Sequence, residues 1–176
     1  MKTNVVVLDS NGTNMQLALD QVEGLADGQA LSRNNTLHLR LLAEEVLAMV
    51  RLVVTDFNAK FWAEGEGNKY KIILEADVDT NVSEKSTLLS LSTTGKNEAD
   101  LGLGQKIARI FRRGVGGKAE EGYSWSLDSY KKEIKENPDP SVALDNMEKS
   151  VIANLASDVR VRIKNGKVRM VVEKVF

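Results

Sequence analysis

Apolar residues alternate with polar ones, or run together, in four short segments that predict β-strands. These segments are residues 4–8, 60–64, 69–76 and 159–176. A glycine-containing turn joins the second segment to the third, which predicts a β-hairpin. The fourth segment contains the two-residue turn Asn165-Gly166 between alternating valines and basic residues, and it therefore predicts a second hairpin.

Elsewhere apolar residues recur every three or four positions, which predicts helices. The predicted helices cover a segment after Met15, then 35–54, 83–90, a segment after Gly104, 123–136 and a segment leading through 147–155. The helix over 35–54 is the longest and most apolar, so we expect it to be central and largely buried. Asp145 and Glu148 are candidates to cap the last of these helices.

The order of the elements predicts an α+β fold of two layers, with a mixed sheet that carries helices on one face. We expect one domain over residues 1–176. The glycine-rich stretch 112–117 predicts a flexible joint. A helical insertion at about 112–156 then separates the central helices from the last hairpin.

Composition excludes several kinds of chemistry. The chain has no cysteine and only one histidine, His38, so disulfides, thiolate metal sites and Ser-His catalysis are not expected. A net charge of −1 and a pI near 6.0 leave no overall electrostatic footprint for nucleic acid. No segment is apolar enough to suggest a membrane span, so a soluble cytoplasmic protein is expected.

Glu45 is the most unusual charged position of the long helix. Leu41 and Met49 flank it one turn away on either side, and a carboxylate on an apolar flank is costly unless it is paired or used. The alternative is that Glu45 lies at the border of the helix and reaches solvent. The neighbouring Glu44 belongs to a charged face with Arg40.

A second group of candidate residues follows the strand at 69–76. Asp77 ends that strand, Thr94-Gly95-Lys96 forms a turn, and Gly102 and Gly104 open the next helix. Glycines at a helix N-terminus expose backbone N–H groups that suit phosphate. The turn is not a P-loop, because Ser90 and Asn97 stand where that motif needs a glycine and a hydroxyl residue. Whether Lys96 reaches a phosphate or only water is left open.

Taken in order, these residues resemble the GHKL ATPase superfamily of gyrase, histidine kinases, mismatch-repair proteins and anti-sigma serine kinases. The resemblance covers roughly residues 4–111, and the hairpin at 159–176 would complete the sheet. It implies an ATP site between the sheet and a lid. In that site Glu45 would act as a base or orient water, Asp77 would bond the adenine amino group, and Gly102 and Gly104 would face phosphate.

The chain departs from the family pattern at two motifs. Met49 stands where the family has the asparagine that holds magnesium, and Asp79 and Asn81 stand where it has glycines beside the adenine. A thioether is a poor ligand for magnesium, which prefers oxygen. The resemblance therefore implies a bacterial ATP- or ADP-binding protein with a regulatory role and weak or no activity, as in a pseudoenzyme. If it is active, an ATPase or a protein-serine kinase is implied.

The alternative is a non-catalytic module that binds a regulatory protein, as anti-sigma relatives do. The helical insertion would supply the surface, with Trp125 and Tyr130 as exposed anchors; otherwise both aromatics pack onto the sheet. Nucleic-acid binding is a third and less favoured hypothesis. Basic residues that alternate along the last hairpin, from Arg160 to Arg169, are also typical of a solvated sheet face.

Overall fold

The computed structural model describes residues 1–9, 11–53, 58–79 and 102–176. Within these ranges the chain forms six strands and six helices. The strands are β1 (Val6–Leu8), β2 (Ala59–Glu66), β3 (Lys69–Asp77), β4 (Ser124–Ser126), β5 (Asp158–Lys164) and β6 (Lys167–Val175). The helices are α1 (Met15–Gly28), α2 (Arg33–Val53), α3 (Leu103–Val115), α4 (Leu127–Glu136), α5 (Ser141–Glu148) and α6 (Val151–Leu155).

The strands form one sheet in the order β1-β2-β3-β6-β5-β4, and every pairing among them is antiparallel. The expectation of a mixed sheet is therefore wrong for the described strands. The reason lies in the connections, because β2–β3 and β5–β6 are hairpins and β6 enters beside β3 in the opposite direction. Asn165 and Gly166 both have positive φ, 55° and 67°, as the predicted two-residue turn requires.

The predicted α+β architecture of two layers is confirmed. Along β5, Val159, Val161 and Ile163 are buried, whereas the basic residues between them are exposed. In β2, β3 and β6 one face likewise packs on the helices, while the opposite face carries charged residues together with the buried Trp62 and Ile73. The long helix α2 is central, as predicted, with Leu42 and Val50 fully buried. Burying a side chain of this size stabilises the fold by about 1.5–3 kcal/mol.

The predicted joint at 112–117 is helical over most of its length, because α3 continues to Val115. Gly114 allows this helix to lie directly on the β5–β6 hairpin. A Cβ at Gly114 would stand 2.9 Å from Val168 Cγ2 and 3.0 Å from Ile163 Cδ1. The glycine at 114 therefore serves close packing, and Val115 beside it is fully buried.

The insertion also differs from the prediction. Residues 124–126 form the short strand β4 on the edge of β5, so the helix begins only at Leu127. Ser126 ends the strand and caps that helix by accepting a hydrogen bond from the Ser129 N–H. The predicted helix through 147–155 is divided into α5 and α6. Ser150 caps α6 through the Ala153 N–H, in place of the expected Asp145 and Glu148.

Candidate functional site

The candidate site is built where α2 passes the first turn of α3. Met49 is 3% exposed on the inner side of α2, and Glu45, one turn earlier, is half-buried. Their placement follows from the helical period, because Leu42, Val46 and Val50 hold the inner side of α2 in the core. Glu45 and Met49 are thereby presented side by side toward α3.

Gly104 brings the two helices together. A Cβ built on Gly104 would lie 3.3 Å from Glu45 Oε1, 3.7 Å from Met49 Cγ and 3.9 Å from Met49 Sδ. The first of these separations is tighter than a side chain normally tolerates, so a larger residue would push the Glu45 carboxylate away. Glu45 and Gly104, which the family resemblance assigns to different motifs of one site, thus lie close together.

Within the described residues, no side chain caps the start of α3. Gly102 is the N-cap residue, with φ −56° and ψ 152°, and the Lys106 N–H donates to the Gly102 carbonyl. The amides that precede Lys106 have no acceptor inside the helix, and together with the helix dipole they make this end electropositive. No acidic residue stands in the first turn itself. The Glu45 carboxylate, supplied from α2, is the negative charge beside it.

Glu44 and Glu45 have different surroundings. Glu44 accepts a hydrogen bond from Arg40 Nε at 2.9 Å, and Arg40 also pairs with Glu23. Hydrogen bonds to Glu23 and then to Glu44 raise the pKa of the Arg40 guanidinium. Glu45 makes no hydrogen bond or ion pair with any residue of the described ranges. It is therefore neither a member of the charged face nor a fully exposed residue.

Magnesium does not fit this cluster. Met49 offers a buried thioether at the position where the family resemblance asks for an oxygen ligand, and magnesium prefers oxygen. Within the described ranges no group of three or more His, Cys, Asp or Glu side chains is placed to hold a metal ion. The site therefore lacks a set of ligands for a divalent cation in this part of the chain.

Asp77 lies at the other end of α3. It is exposed at the end of β3, opposite Lys167, while the preceding Ala76 is buried on the helix side. Two residues later, the Asp79 N–H donates to the Val115 carbonyl at 2.7 Å, at the last residue of α3. Gly104 and Val115 are about 16 Å apart along the helix axis. The described residues thus bring Glu45, Met49 and Gly104 together and set Asp77 apart from them.

The predicted turn residues Thr94, Gly95 and Lys96 lie outside the described residues. So does Asn81, one of the two residues that replace family glycines.

The aromatic residues of the insertion pack inward. Trp125 and Tyr130 have ring centroids 6.0 Å apart, and both are partly buried against the core. The Lys106 ammonium lies 4.1 Å from the Tyr130 ring centroid, which ties the insertion to the first turns of α3. The hypothesis that both aromatics pack down is therefore favoured over exposed anchors.

Helices α5 and α6 of the insertion carry exposed apolar residues. Helix α5 buries none of its residues, and Val142 and Leu144 are 45% and 43% exposed. Val151, at the start of α6, is 37% exposed. Sequence reasoning missed Val142 and Leu144, which fall in no predicted helix, and it placed Val151 in the helix through 147–155. The signal in the sequence was the short distance from Pro140 to Ser150, which limits the length of any helix between them.

None of the described helices is both long and apolar enough to cross a membrane. In comparisons with known proteins, no protein-family model matches the chain, and no curated protein sequence matches it.

Proposed function

We propose that the chain is a nucleotide-binding protein of GHKL type, in which phosphate groups bind at the first turn of α3. The observation that supports this proposal is the proximity of Glu45 and Gly104. The resemblance assigns these residues to two motifs that meet at the phosphates, and here Glu45 Oε1 stands 3.3 Å from the Cβ position of Gly104. The cytoplasmic location expected from the sequence belongs to the same proposal.

The first turn of α3 supplies the binding groups in this proposal. The N-cap residue Gly102 has no side chain to compete with a phosphate for the backbone N–H groups that follow it, and the helix dipole favours negative charge there. Lys96, in the turn predicted from the sequence, is the candidate cation. ATP or ADP is the ligand class that the resemblance implies.

Binding in this proposal is regulatory and does not lead to efficient phosphoryl transfer. Met49 stands at the sequence position where the resemblance expects the asparagine that holds magnesium, and magnesium supplies several kcal/mol of transition-state charge stabilisation in such reactions. An ATPase or protein-serine kinase activity is therefore not part of the proposal. Glu45 is retained as a carboxylate beside the phosphates without a catalytic step assigned to it.

Calorimetric and thermal-shift titrations with ATP and ADP, each with and without magnesium, test the proposal. We expect binding that does not depend on magnesium. Absence of binding at millimolar nucleotide would refute the proposal. Asp77→Asn tests the adenine assignment separately, because Asp77 follows the helix-facing Ala76 and lies on the opposite face of the sheet from Gly104. If the variant binds as tightly as the unmodified chain, Asp77 has no role in recognising the base.

A second candidate function is a protein-binding module that uses the insertion. The observation in its favour is that α5 buries none of its residues although it carries Val142 and Leu144. Exposed apolar residues that together form a contiguous patch are typical of an interaction surface. Affinity capture from the native host would compare the unmodified chain with Val142→Ser/Leu144→Ser and with Leu17→Ser, which removes an equally exposed leucine of α1. Loss of a partner in the first variant alone supports this function, and unchanged partners count against it.

A further inference from the structure

The outer face of the β5–β6 hairpin carries a concentrated set of cations. The alternation that buries Val161 and Val168 on the helix side directs the charged residues of both strands to the opposite face. The set consists of Arg160, Arg162, Lys164, Lys167 and Arg169. All five are exposed.

The register of the hairpin places like charges directly opposite each other. Arg162 pairs with Arg169, and Lys164 pairs with Lys167, in neighbouring rows of the sheet. Directly opposed side chains have Cβ atoms about 4.5–5.5 Å apart, and like charges at that separation destabilise the pair. We name these four residues the cation block. Repulsion between like charges in an otherwise regular hairpin is typical of a functional position, such as a binding site.

Nearby carboxylates neutralise only part of this charge. The Glu75 carboxylate on β3 accepts a hydrogen bond from Lys167 Nζ at 3.1 Å and lies 3.3 Å from Arg169 Nε, so the two cations share one carboxylate. Asp77 also stands opposite Lys167 in the register. Arg162 and Lys164 form no ion pair with any residue of the described ranges. These two cations are therefore available to a ligand.

We propose that the cation block binds an acidic segment of a partner polypeptide. Carboxylates placed between opposed cations would relieve the repulsion along both rows. The guanidinium group of Arg162 can donate two parallel hydrogen bonds to one carboxylate, which adds geometric selectivity to charge. This surface lies on the opposite face of the sheet from Glu45 and Gly104, so the inference does not depend on nucleotide binding.

An acidic polypeptide is favoured over nucleic acid by the aromatic residue on this face. Trp62 is 4% exposed, and Lys2 and Arg169 lie 4.8 Å and 5.2 Å from its ring. The ring is therefore covered and offers no platform on which a base can stack, which single-stranded nucleic-acid sites commonly use.

The test is a fluorescence-anisotropy titration with labelled poly-L-glutamate at low and at physiological ionic strength. The variant Arg162→Gln/Lys164→Gln removes the two unpaired cations. The matched control, Lys131→Gln/Lys135→Gln, makes the same change in net charge on α4. We expect the first variant to bind about tenfold more weakly or worse, from the loss of charge-assisted hydrogen bonds, and the control to bind like the unmodified chain.

A thermal melt of each protein accompanies the titration. Poly-L-glutamate should raise the melting temperature of the unmodified chain and of the control, but not that of Arg162→Gln/Lys164→Gln. The same titration is run with oligothymidylate. Three outcomes overturn the proposal: no binding of poly-L-glutamate at low ionic strength, equal weakening in both variants, or binding of oligothymidylate as tight as that of poly-L-glutamate.

Discussion

The carboxylate oxygen Oε1 of Glu45 lies 3.3 Å from the point that a Cβ on Gly104 would occupy. Glu45 belongs to α2 and Gly104 to α3, so the carboxylate and the glycine are in contact where α2 passes the N-terminus of α3. The relationship gives a physical reason for glycine at this position, because even one methyl group would crowd the carboxylate. It also places a carboxylate, which has no partner among the described residues, against the electropositive end of a helix.

Gly104→Ala is expected to stabilise the fold less than the same change at an open helical position. The added methyl group requires Glu45 Oε1 to shift by a few tenths of an ångström, while the Met49 atoms at 3.7 and 3.9 Å remain in ordinary van der Waals contact. Gly24→Ala is the matched control, since Gly24 lies in α1 with no atom within 4 Å of its Cβ position. Urea unfolding should show a gain of up to about 1 kcal/mol from helix propensity for the control and a smaller gain, or none, for Gly104→Ala. A Gly104→Ala protein stabilised as much as Gly24→Ala would contradict the close approach of α2 and α3.

Gly114→Ala is expected to be more harmful than Gly104→Ala. Its Cβ would meet Val168 Cγ2 at 2.9 Å and Ile163 Cδ1 at 3.0 Å, both on buried residues of the sheet. The helix and the hairpin would have to separate, with a loss of about 1–3 kcal/mol or more in the free energy of unfolding. Equilibrium unfolding in urea shows which of the two variants, Gly114→Ala or Gly104→Ala, is the less stable. Unchanged stability would show that α3 does not rest on the β5–β6 hairpin at this residue.

Ser150→Ala should weaken the start of α6. The Ser150 hydroxyl accepts from the Ala153 N–H at 3.3 Å, and removal of such a cap typically costs about 0.5–2 kcal/mol. Ser141→Ala serves as the comparison, because the Ser141 hydroxyl bonds only the exposed Asp139 carboxylate. If the melting temperature changed equally in the two variants, the start of α6 at a Ser150 cap would be contradicted.

Stability should fall in acid partly through Asp9. Hydrogen bonds from the backbone N–H and then the hydroxyl of Thr13 hold the pKa of the Asp9 carboxyl below its ordinary value of 3.8. Because the folded-state pKa is the lower one, this contribution is present above pH 3.8 and is lost as the pH falls through the folded value. Melting temperatures measured from about pH 5 to pH 2 should fall less steeply for Asp9→Asn than for Asp27→Asn. If the melting temperatures of the two variants fell equally steeply with pH, the lowered pKa of the Asp9 carboxyl in the folded state would be contradicted.

The hairpins were predictable because their information is local. Alternation and the Asn165-Gly166 turn determine both the strands and the register of β5 against β6. The strand β4 was not predictable in this way. Residues 124–126 also fit a helical pattern with Leu127 and Tyr130, and only their pairing with β5 decides for a strand.

The candidate site was predictable only in part, for a similar reason. Helical spacing placed Glu45 on an apolar flank, and the glycines marked the start of α3, so the sequence identified both sides of the contact. The distance between Gly104 and Asp77 could not be read from the chain. It depends on where α3 crosses the sheet, which is set by contacts such as that of Gly114 with Val168.

The central claim, that phosphate groups bind beside Glu45 at the first turn of α3, is tested most directly by titrating ATP without magnesium into Glu45→Gln and Glu44→Gln. Both variants remove one negative charge from neighbouring positions of α2, but Glu44 points to Arg40 and not to Gly104. Without a metal ion the Glu45 carboxylate repels the phosphates, so Glu45→Gln should bind ATP about tenfold more tightly than the unmodified chain. Glu44→Gln should bind as the unmodified chain does. Equal affinities in the two variants, or no binding of millimolar ATP by any of the three proteins, would contradict the claim.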